Sequence, residues 1–292
     1  MGRKRRTCLA LLALAAFLAL ALAGCETLFT PVREPAPEER PEDDAWTPQV
    51  VRLAVSWAAL PLAEDLRAAY TGYRAGVSIE ITPMSSAQAH SLAAAGQVDL
   101  AIVSAPDLTT ARAWRPGLPW RRLALDGLAL IVHRDRPLNQ IGEGALAELY
   151  AGYVADWSAL GAGAGTPVLA IQSAEATARQ VFDAAIMGEH ELSTAALVLP
   201  HDEAVLAYVA EHPLAIGYLS AAYSGRDGRV KAVSLDGLLP SRAQIEVGGY
   251  PLAYELLIAV APEAPEEAAR LEEFALGRLG RELIAERYGL PR

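Results

Sequence analysis

Residues 125–137, Leu-Asp-Gly-Leu-Ala-Leu-Ile-Val-His-Arg-Asp-Arg-Pro, constrain the fold more than any other part of the chain. Within them, residues 128–132 are an unbroken apolar run. Asp126-Gly127 introduces it and a charged turn ending in Pro137 closes it, the pattern of a strand buried on both faces. Strand and helix patterns alternate on either side, so the run marks the passage from one α/β half to another, a junction that frames a cleft.

The flanking patterns support two such halves. Residues 50–56 read as a strand, 61–70 as a helix with Leu62, Leu66 and Ala69 on one face, and 77–82 as a cleanly alternating strand. Ser85-Ser86 opens a helix through 95, and 99–104 is a third strand. Parallel pairing with right-handed crossovers follows from that order. Beyond the central run, residues 144–157 carry Leu146, Leu149, Tyr150 and Val154 at helical spacing. A strand is expected over 168–171 and a helix over 174–187, with Val181, Phe182 and Ile186 inward. Then come a short helix over 201–211, strands over 215–219 and 230–235, a long apolar strand over 252–260 as candidate return crossing, and one or two closing helices over 265–288. The expected architecture is α/β and two-lobed, each lobe a mostly parallel sheet flanked by helices, joined by two crossing strands.

The amino terminus differs in kind. Arg3, Lys4, Arg5 and Arg6 precede an apolar run over residues 9–23 that ends in Gly24-Cys25. This run is short for a membrane span, and its basic start and small-residue end are those of a secretory signal over residues 1–24. Leu22-Ala23-Gly24-Cys25 resembles the bacterial lipoprotein box, which implies lipidation at Cys25. The chain's other cysteine, Cys8, lies inside the leader, so the mature chain keeps one thiol and no internal disulfide. The alternative, an unmodified Cys25, would leave an exported protein with a lone exposed thiol. Prolines 31, 35, 37, 41 and 48 then alternate with acidic residues, making 25–49 a solvated, extended tether. The 292-residue chain has a formal charge of −10, more negative still without its basic leader, so nucleic acid is excluded as a partner.

Several fragments, in order, resemble the phosphate-binding proteins and lipoproteins that serve Pst-type ABC importers. They are residues 95–104 (Ala-Gly-Gln-Val-Asp-Leu-Ala-Ile-Val-Ser), the Asp126-Gly127-Leu128-Ala129 strand, Leu149-Tyr150-Ala151-Gly152 with Trp157, Leu160 and Gly161, then Ala215-Ile216-Gly217-Tyr218 and Tyr250-Pro251-Leu252. The similarity runs from about residue 50 to 260. It implies the type II periplasmic-binding-protein fold, with lobe 1 over 50–127 and 252–292 and lobe 2 over 128–251. It also implies an extracytoplasmic solute-binding lipoprotein that closes on a small solute about a hinge and meets an ABC permease. Such a protein is expected to be monomeric, exported and anchored to a bacterial membrane through Cys25, facing the periplasm or the cell exterior, with no cofactor and no enzymatic activity.

Family members hold an oxyanion with helix N-terminal amides, hydroxyls, an arginine and an aspartate, because helix starts offer unpaired N–H groups and partial positive charge. The matching positions here are Ser56-Trp57, Ser85-Ser86, Ser104, and Gln172-Ser173 with Thr177. These eight residues are the candidate ligand contacts, hydroxyl or amide donors with Trp57 as an aromatic wall or a core residue. The family's loop arginine falls on Gln172, its glycines are gone, and Glu175 adds negative charge. The departure argues against phosphate held in the family's usual manner and for a different anion, a weakly held oxyanion or a neutral polar solute. Ser173 and Glu175 read first as helix-capping residues.

Other chemistry is thin. His90, His133, His190, His201 and His212 have no metal-ligand spacing, and neither a nucleophile elbow nor a phosphate loop is present. Asp126, Asp156, Asp183 and Asp202 read as turn and cap residues. The second reading is a surface sensor or interaction module on the same scaffold, since a fold does not fix a function.

Overall fold

Strand β4 (Arg121–His133) carries the central run, and residues 128–132 within it have no solvent exposure. The computed structural model describes residues 49–292. The expected signal segment, Cys25 and nearly all of the tether lie outside the described residues. Among those described, no helix is long and apolar enough to cross a membrane.

One strand serves two sheets. The first half of β4 pairs antiparallel with β10 (Ala253–Val260), Gly127 facing Ala253. Its second half pairs with β8 (Ala215–Ser220) on one side and β9 (Val230–Leu235) on the other, Leu128 facing Ser220. The handover falls at Gly127-Leu128, where a Cβ on Gly127 would meet Ile245 and Tyr250 side-chain carbons at 3.1 Å. Leu128 N donates to Leu252 O and Tyr250 OH to Leu128 O, so the returning chain crosses beside the outgoing one.

The first sheet runs β2 (Val77–Met84), β1 (Gln49–Ser56), β3 (Leu100–Ala105), β10, β4. β1 is parallel to β2 and β3, and β10 is antiparallel to β3. In the second sheet β8, β6 (Val168–Gln172) and β7 (Leu197–Leu199) are parallel neighbours, and β5 (Gln140–Ile141) continues the edge beside β9.

Helices cover both sheets. In the first lobe α1 (Leu60–Tyr73) buries Leu62, Leu66 and Tyr70, with proline in its first turn where the missing N–H costs nothing. Next come α2 (Ser86–Ala94) and the short α3 (Leu108–Arg112), capped by Asp107. The second lobe carries α4 (Glu143–Tyr150), α5 (Thr177–Phe182), α6 (Asp202–Glu211) and α7 (Arg242–Glu246). Closing helices α8 (Glu266–Leu276) and α9 (Arg278–Ile284) return to the first lobe, where buried Glu267 accepts from Tyr70 OH and Arg74 Nε of α1's end. α6 lies so close to β8 that a Cβ on Gly217 would sit 2.6 Å from Val205 Cγ1, which is why glycine stands there.

Local corrections to the sequence reading have physical causes. The helix expected over 144–157 stops at Tyr150, because Gly152 turns at φ 83° and Asp156 caps a separate 3-10 turn, Trp157–Leu160. The helix expected over 174–187 starts three residues late and widens into a π turn, Asp183–Met187, before Gly188.

Candidate functional site

Strands β1, β3 and β6 end in the cleft between the lobes, with Ser56, Ser104-Ala105 and Gln172 as their last residues. This is the carboxyl edge of a doubly wound sheet, where ligands of such folds bind. A cavity of about 60 Å³ lies there. The structure brings all eight sequence-predicted residues to its lining: Ser56, Trp57, Ser85, Ser86 and Ser104 from the first lobe, Gln172, Ser173 and Thr177 from the second. Met84, Pro200, Asp202 and several alanines complete it, and no lysine or arginine is among them.

Most of the hydroxyls are already engaged. Ser56 Oγ accepts from Ser104 N at 3.0 Å, and Ser86 Oγ donates to Ser104 O at 2.8 Å. Ser85 caps α2, accepting from Gln88 N at 3.2 Å while Gln88 Oε1 accepts from Ser85 N, a reciprocal capping box. Thr177 Oγ1 donates to Ser104 O at 2.9 Å, which bonds the second lobe directly to the first. A second bridge runs through Trp57. Its ring stacks on His201 at 4.0 Å and 18°, and its carbonyl accepts from Tyr223 OH at 2.8 Å. Trp57 is therefore a rim residue that joins the lobes rather than a core residue of one of them.

Two groups carry the site's unusual chemistry. Gln172 is 4% exposed and its Nε2 is buried without a hydrogen-bond partner, a costly condition for an amide. Asp202, the first residue of α6, is 1% exposed, and its Oδ1 accepts from Ser220 N at 2.7 Å. Burial pushes its carboxyl above the ordinary value, against the pull of the Ser220 and Asp202 N–H groups and of the nearby Gln172 amide. The nearby Arg179 is occupied: its Nε is 2.8 Å from both Asp183 oxygens, and its Nη1 reaches only the Gln172 carbonyl, at 3.5 Å.

Ser220 connects this cavity to the crossing. Its Oγ donates to Asp126 Oδ2 at 2.6 Å, where Tyr254 OH also donates at 2.7 Å, while Gly127 N donates to Oδ1 at 2.8 Å. Burial raises the Asp126 carboxyl from 3.8 to about 6 even against these three donors.

The structure therefore revises several sequence readings. Asp126 and Asp202 are not turn residues but buried groups of the crossing and the cavity, whereas Asp156 does cap, accepting from Ser158 N. Ser173 and Glu175 do not cap α5: both are exposed and the N-cap is Ala176, without a side-chain bond. The negative charge in the cavity is Asp202's, not that of Glu175, which is absent from the lining. Asp202 and Ser220 were missed, although a carboxylate opening a helix at the sheet's carboxyl edge is a visible signal.

Comparison with known proteins agrees with this geometry. A family model described as a PBP superfamily domain matches residues 42–275. The phosphate-binding protein PstS of Bacillus subtilis (strain 168) is 27% identical over 135 residues, 46% of this chain and 44% of that protein, so the match spans less than half of its length. Among solved structures, one assigned as a phosphate ABC transporter substrate-binding protein with bound phosphate, from Clostridium perfringens, aligns with a TM-score of 0.75 at 22% identity. That alignment covers 84% of this chain and 100% of that one. An ABC-type phosphate transport receptor from Vibrio cholerae aligns at 0.63 with 23% identity, over 82% and 100%. The CcmR regulatory domain of Synechocystis PCC6803 in complex with 2-PG aligns at 0.58 with 16% identity, over 84% and 100%. With two lobes, a shared β4 and a cavity at the carboxyl edge of both sheets, the chain belongs to the PBP superfamily.

Proposed function

We propose that the chain is the extracytoplasmic solute-binding lipoprotein of an ABC importer and captures a small anion or polar solute by hinge closure. Lobe 1 (50–127 and 252–292) and lobe 2 (128–251) would turn about the two adjacent crossings at Gly127-Leu128 and Leu252-Ala253. The observation that carries the reading is a buried, unpartnered Gln172 amide in a 60 Å³ cavity walled by both lobes. The cavity has room for a small solute. A solute touching Ser86 and Ser104 on one side and Gln172 and Thr177 on the other has its full contacts only in the closed form. It therefore shifts the population toward closure by that difference in affinity.

The remainder of the proposal follows from the amino-terminal sequence. Export, removal of residues 1–24 and lipidation of Cys25 would place a monomer on a bacterial membrane, where a permease reads the closed form. Metabolic labelling with a fatty acid tests the anchor: label lost in Cys25→Ser supports it, and label retained removes it. Calorimetric titration with phosphate, sulfate and molybdate tests capture; saturable heat with any of them supports it.

A surface sensor is the second reading. The direct Thr177–Ser104 and Trp57–His201 contacts favour it, because they hold the lobes together through protein atoms alone. Co-purification with a permease separates the two readings, since only a transport component requires one.

A further inference from the structure

We propose that the cavity selects a small uncharged hydroxylated molecule, such as an undissociated oxyacid, over a charged oxyanion; this rests on the capture reading above. Charge comes first. Asp202 is the one ionisable residue of the lining, 1% exposed, and the lining holds no cation to offset it. Arg179, which could have reached inward, is held by Asp183. An anion entering here adds a second negative charge where water does not screen it, and like charges a few ångströms apart repel strongly at interior-like screening.

Hydrogen-bond polarity agrees. Gln172 Nε2 is a buried donor that makes no well-formed hydrogen bond, although the Asp202 carboxylate is near it, so a ligand between the two can accept from it. The Asp202 carboxylate can only accept, so the ligand must also donate. Sulfate and molybdate, fully dissociated at neutral pH, have acceptors alone and turn their lone pairs toward those of Asp202; phosphate keeps an O–H at that pH and is disfavoured here by its charge alone. A molecule that retains its O–H groups satisfies both, donating one hydroxyl to Asp202 and accepting from Gln172 through another oxygen. Boric and orthosilicic acids, which are uncharged at neutral pH, have this chemistry and fit the 60 Å³ available.

The test is calorimetric titration of the purified full chain at neutral pH with boric acid, orthosilicic acid and glycerol, and separately with phosphate, sulfate and molybdate. The expected result is saturable binding of at least one uncharged probe, about tenfold or more tighter than any of the anions. In Asp202→Asn, whose amide oxygen still accepts from Ser220 N, the preference should narrow by about tenfold or more. Thermal denaturation of that variant verifies folding. Tighter binding of phosphate, sulfate or molybdate by the wild type would overturn the proposal and leave solute capture standing. An unchanged preference in folded Asp202→Asn would overturn it as well. Binding of no probe would remove the capture reading together with it.

Discussion

Two polar groups of the molecule, Asp126 at the crossing and Gln172 in the cleft, are buried to nearly the same degree, at 2% and 4% exposure. The Asp126 carboxylate accepts three hydrogen bonds, from Ser220 Oγ, Tyr254 OH and Gly127 N, whereas Gln172 Nε2 makes none. A buried polar group that the protein satisfies belongs to the fold; one that the protein leaves unsatisfied lowers stability and, where it lines a cavity as Gln172 does, is available to a ligand. Mutations at the two places should therefore act in opposite directions.

The largest effect is expected at the crossing. Asp126→Ala takes the acceptor from two buried hydroxyls and should cost about 2–5 kcal/mol, read as a lowered midpoint in chemical denaturation. A loss under about 1 kcal/mol would break the comparison. The pH dependence sharpens it. The Asp126 carboxyl is raised from 3.8 to about 6, so the native state binds more protons than the unfolded state between those values. Its contribution to stability is fully present below 3.8 and is lost as pH rises through about 6, on the order of 3 kcal/mol. Denaturation of wild type and Asp126→Asn across this window should show the wild type losing ground as pH rises; parallel curves would contradict it. Ser220→Ala, which removes one donor to Asp126 and leaves the Ser220 N–H on Asp202, should cost about 1–2 kcal/mol. Gln172→Leu comes last: it removes an unpaired buried amide and should leave stability within about 1 kcal/mol or raise it.

Much of this architecture was legible because it is local. Alternation of strand and helix patterns, the apolar 128–132 run and the serines closing β1 and β3 are each read within a few residues. Cross-chain pairings are not. β4 starts at Arg121, four residues before the stretch first singled out, with charged residues at its start that no strand pattern favours. Arg122 is held there by Glu255 on β10 at 2.8 Å, 133 residues away. The same limit hid the link between cavity and crossing, since Ser220 meets Asp202 across 18 residues and Asp126 across 94. Hydroxyls at strand ends could be nominated for the cleft from sequence, but the free donor at Gln172 and the buried charge at Asp202 depend on what does and does not surround them. The break after α4 was written in the sequence as Gly152, but the second reason for glycine there, Ser193 Oγ at 2.9 Å from where a Cβ would stand, lies 41 residues on.

The most direct test of solute capture in the cleft is thermal denaturation of the wild type and Gln172→Leu with millimolar phosphate, sulfate, molybdate, boric acid or orthosilicic acid. The account predicts a saturable rise in the wild-type midpoint with at least one of these. That rise should be lost or strongly reduced in Gln172→Leu, whose midpoint without solute equals or exceeds that of the wild type. No rise with any solute, or an equal rise in both proteins, would contradict it.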